Sequence, residues 1–394
     1  MTQSIAADRL RIIVLGYIVR CPIGGMAWHH LQYVIGLAEM GHEVIFVEDS
    51  GDATWACYDP STGESGTNPD YGLQFTQQVF SRMGLADNWC YYDAFTSSWL
   101  GPYSDRVKNY SRNADLLFNL SGANLLRGAL ADVPIRAYID TDPLFTQIRC
   151  LQDESRRDFL AQHNIYFSFG ENIGTENCNV PDDGFAWQAT RQPVVLDQWP
   201  VTDVAKNGHF TTVMQWDSYK VQEYDGVVYG MKSRSFDPYM DLPKKTGAKL
   251  ELAIGSESAP RDLLRSNDWL LRDPLEVTRD LWTYQRYIQT SRAEFSIAKH
   301  GYAITNSGWF SERSANYLAS GRPVLVQDTG FTDWLSAERG VIAFNNPDEA
   351  LAGIEEISQN YAKHCVAARM VAEEYFDSYK VLSSLIERAM QSQK

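Results

Sequence analysis

From Arg11 to Gly16 the chain reads RIIVLG, a short, β-branched, uninterrupted apolar run. That is the pattern of a strand buried on both faces of a parallel sheet. A loop with Pro22, Gly24 and Gly25 follows, then an apolar stripe at Leu31, Val34, Ile35, Leu37 and Ala38, spaced for one face of a helix. Gly41 stops that helix and Val44–Val47 supplies a second strand, so the segment predicts a βαβ unit with a right-handed crossover. Gly51–Asp70, rich in Ser, Thr, Gly, Asp and Pro, reads as loop. Strands are predicted again in ADLLFNLSG (Ala114–Gly122), IRAYIDTDP (Ile135–Pro143) and IYFSFGENI (Ile165–Ile173), with a helix over Leu144–His163.

TRQPVVLDQWP (Thr190–Pro200) holds two prolines and few helix formers and reads as the approach to a linker. A second strand series follows in TTVMQW, LELAIG (Leu250–Gly255), WLLRDP, GYAITNS (Gly301–Ser307) and PVLVQDTG (Pro323–Gly330). Helices are predicted over Val277–Lys299 and Ser311–Ser320, and a long helical stretch from Ala350 to Met390 is broken near Phe376–Asp377. Strands alternating with helices in two series predict two doubly wound α/β domains, whose ligands sit at the carboxyl ends of the strands.

Composition agrees with a folded protein: 394 residues exceed one ordinary core, with 44% hydrophobic and 22% charged residues. The formal charge of −15 argues against nucleic acid or an anionic membrane as main partner. It is a whole-chain argument and leaves a local basic cleft open. Six cysteines without a CxxC pair or a His/Cys cluster read as reduced thiols, not a disulfide frame or a zinc site. The first apolar run is too short to span a bilayer and lacks a signal-peptide pattern, so the expected location is cytoplasmic, without stable membrane insertion.

The loop after the first strand, GYIVRCPIGGMAWHH, does not match GxGxxG, although Glu48 ends the second strand where a ribose-binding acid would sit. Gly24 and Gly25 either let the backbone approach a phosphate or sugar at a helix N-terminus, or form a plain tight turn. SGWFSERSANYLASGRPV (Ser307–Val324) places Arg313 in the first turn of a helix, where a cation is mildly disfavoured. A bound phosphate would reconcile the arginine with the dipole; the other reading is an ion pair with a surface acid. Asn306, Ser307 or Ser311 is expected to cap this helix.

Taken together, GG after the first strand, LAEMGHEV after its helix and SERSANYLASGRPVLVQDTGF in the second half resemble the GT-B glycosyltransferase superfamily. The resemblance implies two Rossmann-like domains facing a central cleft, at 1–205 and 206–362, with a C-terminal helix at 363–394 crossing back to the first. It implies a nucleotide-sugar donor on the second domain and an acceptor hydroxyl on the first, with no other cofactor. Gly24 and Gly25 match the loop near the donor phosphate and sugar. Ser307, Gly308, Trp309, Phe310, Ser311 and Arg313 match the diphosphate loop, and Asp328, Thr329 and Gly330 the loop near the transferred sugar. The glutamate opening the family motif aligns with Asn316, and its partner eight positions earlier with Gly308. Loss of that pair favours an inverting displacement over retention.

Lys232 is a further candidate for the diphosphate, while Arg234 reads as a solvated charge and Lys299 as a charge complementing a helix end. Arg272 and Asp273 in WLLRDP are candidates for the base. On the acceptor side the candidates are Asp140, His29 and Glu171, with Asp142 read as a helix cap and His30 as a packing partner of His29 in the first helical turn. Trp28, Trp187 and Trp309 either stack on a ring or belong to the core. A nucleotide-sugar epimerase, a dinucleotide oxidoreductase and a non-catalytic nucleotide-sugar-binding protein are the alternatives that the sequence leaves open.

Overall fold

The computed structural model describes residues 9–203 and 208–391, so the expected boundary between 205 and 206 lies outside the described residues. The first half contributes β1 (Arg11–Leu15), β2 (Glu43–Asp49), β3 (Cys57–Asp59), β4 (Glu64–Gly66), β5 (Trp89–Asp93), β6 (Ser98–Leu100), β7 (Leu116–Leu120), β8 (Ile135–Asp140), β9 (Ile165–Ser168) and β10 (Trp187–Ala189). Apart from the β3–β4 hairpin they form one sheet, ordered β10-β9-β8-β7-β1-β2-β5-β6, in which only β6 runs antiparallel to its neighbour.

The second half contributes β11 (Phe210–Gln215), β12 (Gln222–Tyr224), β13 (Val227–Tyr229), β14 (Leu250–Gly255), β15 (Leu270–Arg272), β16 (Ala293–Ser296), β17 (Val324–Gln327) and β18 (Val341–Phe344). β12 and β13 pair as a hairpin, and the rest form an all-parallel sheet ordered β15-β14-β11-β16-β17-β18. Strand order reverses between β1 and β7 in the first sheet and between β11 and β16 in the second. The crevices beyond those strand ends are where such sheets hold ligands.

Several predicted elements differ. The helix expected over Leu144–His163 is two helices, Phe145–Gln152 and Glu154–Ala161, and the stretch from Ala350 to Met390 has a further break at Asn360. The helix expected over Val277–Lys299 is instead two helices, Pro274–Thr278 and Leu281–Thr290, followed by β16. Phe295 of β16 is fully covered in the core, and Glu294 escapes the usual prohibition on buried acids by pairing with Arg313. GYAITNS is not a strand: His300–Ile304 is a helical turn, which Thr305 Oγ1 closes by donating to Gly301 O at 2.7 Å. β5, β6, β18 and the hairpins lie in segments given no strand above, β3–β4 within the expected Gly51–Asp70 loop.

The first helix, Gly24–Glu39, is buried nearly all round because it lies against helix Leu281–Thr290 and helix Ser378–Gln391. At Gly36 a side chain would meet Leu382 at 2.6 Å, so the glycine sets how closely the last helix approaches. A single apolar core runs from Trp28 and Leu31 through Leu281 and Tyr284 to Phe310, Tyr317 and Leu385. The interruption at Phe376–Asp377 is real. Ser378 N–H donates to Val194 O (2.9 Å), and Val194 N–H to Phe376 O (2.7 Å), tying the terminal helix to the Thr190–Pro200 segment. Among the described residues no helix is long and apolar enough to cross a membrane.

Candidate functional site

A cleft of about 1250 Å3 lies between the two sheets, lined by residues that follow β1, β7, β8, β11, β14 and β16. A second cavity of about 1150 Å3 opens beside Gly208–Phe210 and Lys245–Lys249, at the amino ends of β11 and β14. Only the first stands at the carboxyl ends where α/β sheets present ligand-binding loops.

On the first-sheet wall, Glu48 acts on its own chain. Its buried carboxylate accepts the backbone N–H groups of Ile18, Val19 and Arg20 at 2.6, 2.8 and 2.7 Å. It therefore shapes the β1 loop in place of the ribose contact that its position suggested. Arg20 reaches Glu48 through Nε (3.2 Å) and the Ala123 carbonyl through Nη2 (2.9 Å), and lines the cleft.

His29 falls in the second turn of its helix, not the first, because the helix starts at Gly24. Its Nδ1 lies 2.6 Å from Gln192 Oε1, and its Nε2 is buried without a partner. Burial lowers its pKa against the pull of Glu312, which favours neutral imidazole. His30 packs behind it with Nδ1 2.8 Å from Met26 O, as expected of the partner histidine.

Asp140 is placed differently from a free base. Oδ1 accepts from Asp142 N–H (2.9 Å) and Thr146 Oγ1 (2.7 Å), and Oδ2 from Ser168 Oγ (2.8 Å) and Gln147 Nε2 (3.2 Å). Those bonds use the acceptor capacity of both oxygens. Burial raises its pKa while the hydrogen bonds oppose the rise. Gln147 Oε1 in turn accepts from the N–H of Leu144, held at φ 74°, a left-handed conformation that costs a non-glycine residue about 1–3 kcal/mol. Asp140 thus organises a strained turn that delivers Asp142 into the cleft.

Asp142 is not a helix cap and Lys299 does not complement a helix end. Lys299 Nζ lies 2.7 Å from Asp142 Oδ1, and Arg149 Nη2 (2.6 Å) and Tyr219 Oη (2.6 Å) meet Oδ2, with Tyr302 also donating. Burial alone would raise the Asp142 pKa; Lys299 and Arg149 hold it down to about 2. The cluster ties the loop after β8 to the loops after β11 and β16.

On the second-sheet wall, Ser311 caps helix Glu312–Ala319, accepting from Arg313 N–H at 3.2 Å. Arg313 is neither waiting for a phosphate nor paired with a surface acid. Its Nε meets buried Glu294 at 2.6 Å, Nη1 the Val213 carbonyl at 2.8 Å and Nη2 Ser296 Oγ at 2.7 Å. Lys232 is different: its side chain makes no hydrogen bond or ion pair among the described residues, yet it lines the cleft. Burial, then the nearby Arg313, pulls its pKa down to about 7. Gly25 and Trp309 line the same space, and the Trp309 Nε1 is buried without a partner.

The cleft therefore gathers Gly25, His29, Asp140, Lys232, Asp273, Trp309, Ser311 and Arg313 of the expected residues. The remainder lie elsewhere. A side chain at Gly24 would overlap the Asp280 carbonyl, so this glycine serves helix packing. Arg272 pairs with Glu251 at 2.9 Å, and Glu171 with Arg191 at 2.6 Å. Asn316 Oδ1 accepts from Gln32 Nε2 at 2.9 Å, facing the first helix. Phe310 packs on Phe331 and Phe376.

The Ser307–Gly308 and Asp328–Gly330 loops are engaged by Asn172 of the first half. Its N–H donates to Ser307 O at 3.1 Å, and its Nδ2 to Gly330 O at 2.9 Å. Gly308 N–H donates to Thr329 O, and Asp328 Oδ1 accepts from Gly330 N–H. Trp28 is core, with Nε1 donating to Leu281 O, and Trp187 sits on edge strand β10. Sequence reasoning missed Arg20, Tyr219, Glu312 and Gln192. The first three carry a signal in following predicted strands or opening a helix; Gln192, in a proline-flanked linker, carries none.

No family model and no curated protein matches the sequence. Solved structures do match in fold. An alpha-glucosyltransferase in complex with UDP-glucose and DNA containing an abasic site aligns at TM-score 0.60 and 11% identity, over 97% of this chain and 100% of its own. Sucrose-phosphate synthase from Thermosynechococcus elongatus aligns at 0.56 and 11%, over 98% and 100%. Anabaena HepE in complex with UDP and glucose aligns at 0.55 and 10%, over 97% and 100%.

These matches correct the inference from net charge. The fold seen here is also that of an enzyme solved with DNA, so −15 overall does not set nucleic acid aside. Net charge sums the whole surface, whereas recognition acts locally, and this cleft is lined by seven cations against four acids. With two Rossmann-like sheets opposed across that cleft and matched over nearly the full chain, the protein has the GT-B glycosyltransferase fold.

Proposed function

We propose that the chain transfers a glycosyl group from a nucleoside-diphosphate sugar to an acceptor hydroxyl. One observation carries the reading. The cleft holds an unpaired cation, Lys232, and an unpartnered buried lone pair, His29 Nε2. In the proposed step the acceptor oxygen attacks the anomeric carbon while its proton passes to His29 Nε2. The bond from that carbon to the diphosphate oxygen breaks, and the nucleoside diphosphate leaves with the electron pair beside Lys232. A fixed cation at the developing phosphate charge supplies the stabilisation that the step needs without a metal. One displacement inverts the anomeric centre, which agrees with glycine and asparagine at the positions of the retaining glutamate pair. Ser256 and the Asp273–Thr278 segment, also in the cleft wall, would receive the nucleoside.

The test is nucleoside diphosphate release from a panel of nucleotide sugars, with saccharides and DNA as acceptors. Release should require an acceptor. Lys232→Ala should raise the donor KM roughly tenfold or more, and His29→Ala should cut kcat about a hundredfold while donor binding persists. An isomeric nucleotide sugar formed without acceptor would instead identify an epimerase, and binding without turnover a non-catalytic protein.

A further inference from the structure

Gln192 is held by a hydrogen-bond pattern that leaves its amide one orientation. Its Nε2 donates to two carbonyls, His29 O at 3.2 Å and Pro193 O at 2.9 Å. Carbonyls only accept, so the nitrogen must face them and Oε1 must face His29 Nδ1, 2.6 Å away. An amide oxygen also only accepts, so Nδ1 must carry a proton. A neutral imidazole has one N–H, which leaves Nε2 as a bare lone pair, and Nε2 is the atom buried without a partner. An unmet buried acceptor is costly, and an incoming hydroxyl would satisfy it.

The surroundings favour the neutral ring. His30 and Tyr33 flank His29 on its own helix, with ring centroids at 4.7 and 6.3 Å, and Phe169 stands at 6.2 Å beyond β9. Glu312, from the facing helix, is the charged group acting on His29 and favours its protonation; burial opposes this and prevails.

We infer that Gln192 is a positioning residue that locks His29 in the Nδ1–H tautomer and so makes Nε2 the proton acceptor of the cleft. The inference rests on His29 as the base of the proposed transfer, but the tautomer can be read without activity.

Nitrogen-15 NMR of the full histidine-labelled chain near pH 7, with His29 assigned by its loss in His29→Gln, should show a protonated Nδ1 and a bare Nε2. In Gln192→Leu the two tautomers should mix, and kcat should fall about tenfold or more with donor KM little changed. In Gln192→Glu a carboxylate beside Nδ1–H stabilises the imidazolium. The acidic limb of the kcat/KM profile should then move up by roughly one pH unit or more. A wild-type His29 protonated on Nε2, or an unmoved limb in folded Gln192→Glu, overturns the proposal. The expected tautomer, lost in Gln192→Leu, in a chain that transfers no sugar would uphold the positioning role and overturn the transferase reading.

Discussion

At the scale of single residues, Arg313 and Lys232 show that a cation's partners decide its role. The arginine that drew attention by opposing a helix dipole is consumed by Glu294, Val213 and Ser296, and its removal would strand a buried carboxylate. Lys232, a diphosphate candidate from sequence, is a cation at the cleft whose side chain has no ion-pair partner among the described residues. Its pKa of about 7 lies below the ordinary lysine value, so folding is disfavoured wherever this amine must be charged. The penalty is complete below about pH 7 and fades as pH rises towards the unfolded value. Lys232→Met should therefore stabilise the fold at pH 6 and lose that advantage by about pH 10, measured by denaturant unfolding across the range. A bound diphosphate should recharge the amine, so wild-type binding near pH 8 should take up a proton and the variant should not. A stability difference that stays constant with pH would mean Lys232 is not desolvated as described.

At the scale of elements, the adjacent glycines separate packing from binding. A methyl at Gly24 would overlap the Asp280 backbone, whereas at Gly25 it would sit 3.4 Å from the Tyr284 ring, an ordinary contact. Gly24→Ala should lower the melting temperature, at a cost of about 1–3 kcal/mol for forcing the two helices apart. Gly25→Ala should melt near wild type and weaken nucleoside diphosphate binding instead. Equal melting temperatures for the two would remove Gly24 from the packing account. The strands β1 and β14 were legible because their apolar residues are buried on both faces, a pattern set by the fold's layers that the one acid of β14, Glu251, does not obscure. β16 was hidden by Glu294, whose partner stands nineteen positions away in sequence. GYAITNS misled because its helical turn is closed by threonine and by packing of Gly301 on Leu144. The candidate site was legible only as loops after strands. Which loop residues face the cleft depends on partners such as Asn172, Gln32 and Gln192 that local pattern does not connect.

At the scale of the molecule, besides hydrogen bonds such as those of Asn172 and Gln32, two larger contacts of different character join the halves. One is the continuous apolar core through the first helix, helix Leu281–Thr290 and the terminal helix, which resists separation because opening would wet it. The other is the polar cluster of Asp142 with Lys299, Arg149, Tyr219 and Tyr302, whose groups water would solvate on opening. Closure should therefore pivot about the apolar core, hinged near Gln192–Asn207, of which 204–207 lie outside the described residues, and at the Phe376–Asp377 break. Release should occur at the Asp142 cluster. Asp142→Asn keeps the side-chain shape and removes the charge that holds Lys299. The variant should scatter X-rays with a larger radius of gyration than wild type, and nucleoside diphosphate should bring the two radii together. Since Lys299 and Arg149 hold Asp142 near a pKa of about 2, the cluster's contribution is complete above the ordinary carboxylate value and disappears only as pH falls through about 2. Wild type should accordingly keep one radius from pH 7 to pH 5. Equal radii for Asp142→Asn and wild type, with and without nucleotide, would show that the cleft stays closed without the cluster's charge and that the cluster serves the ligand, not the domains.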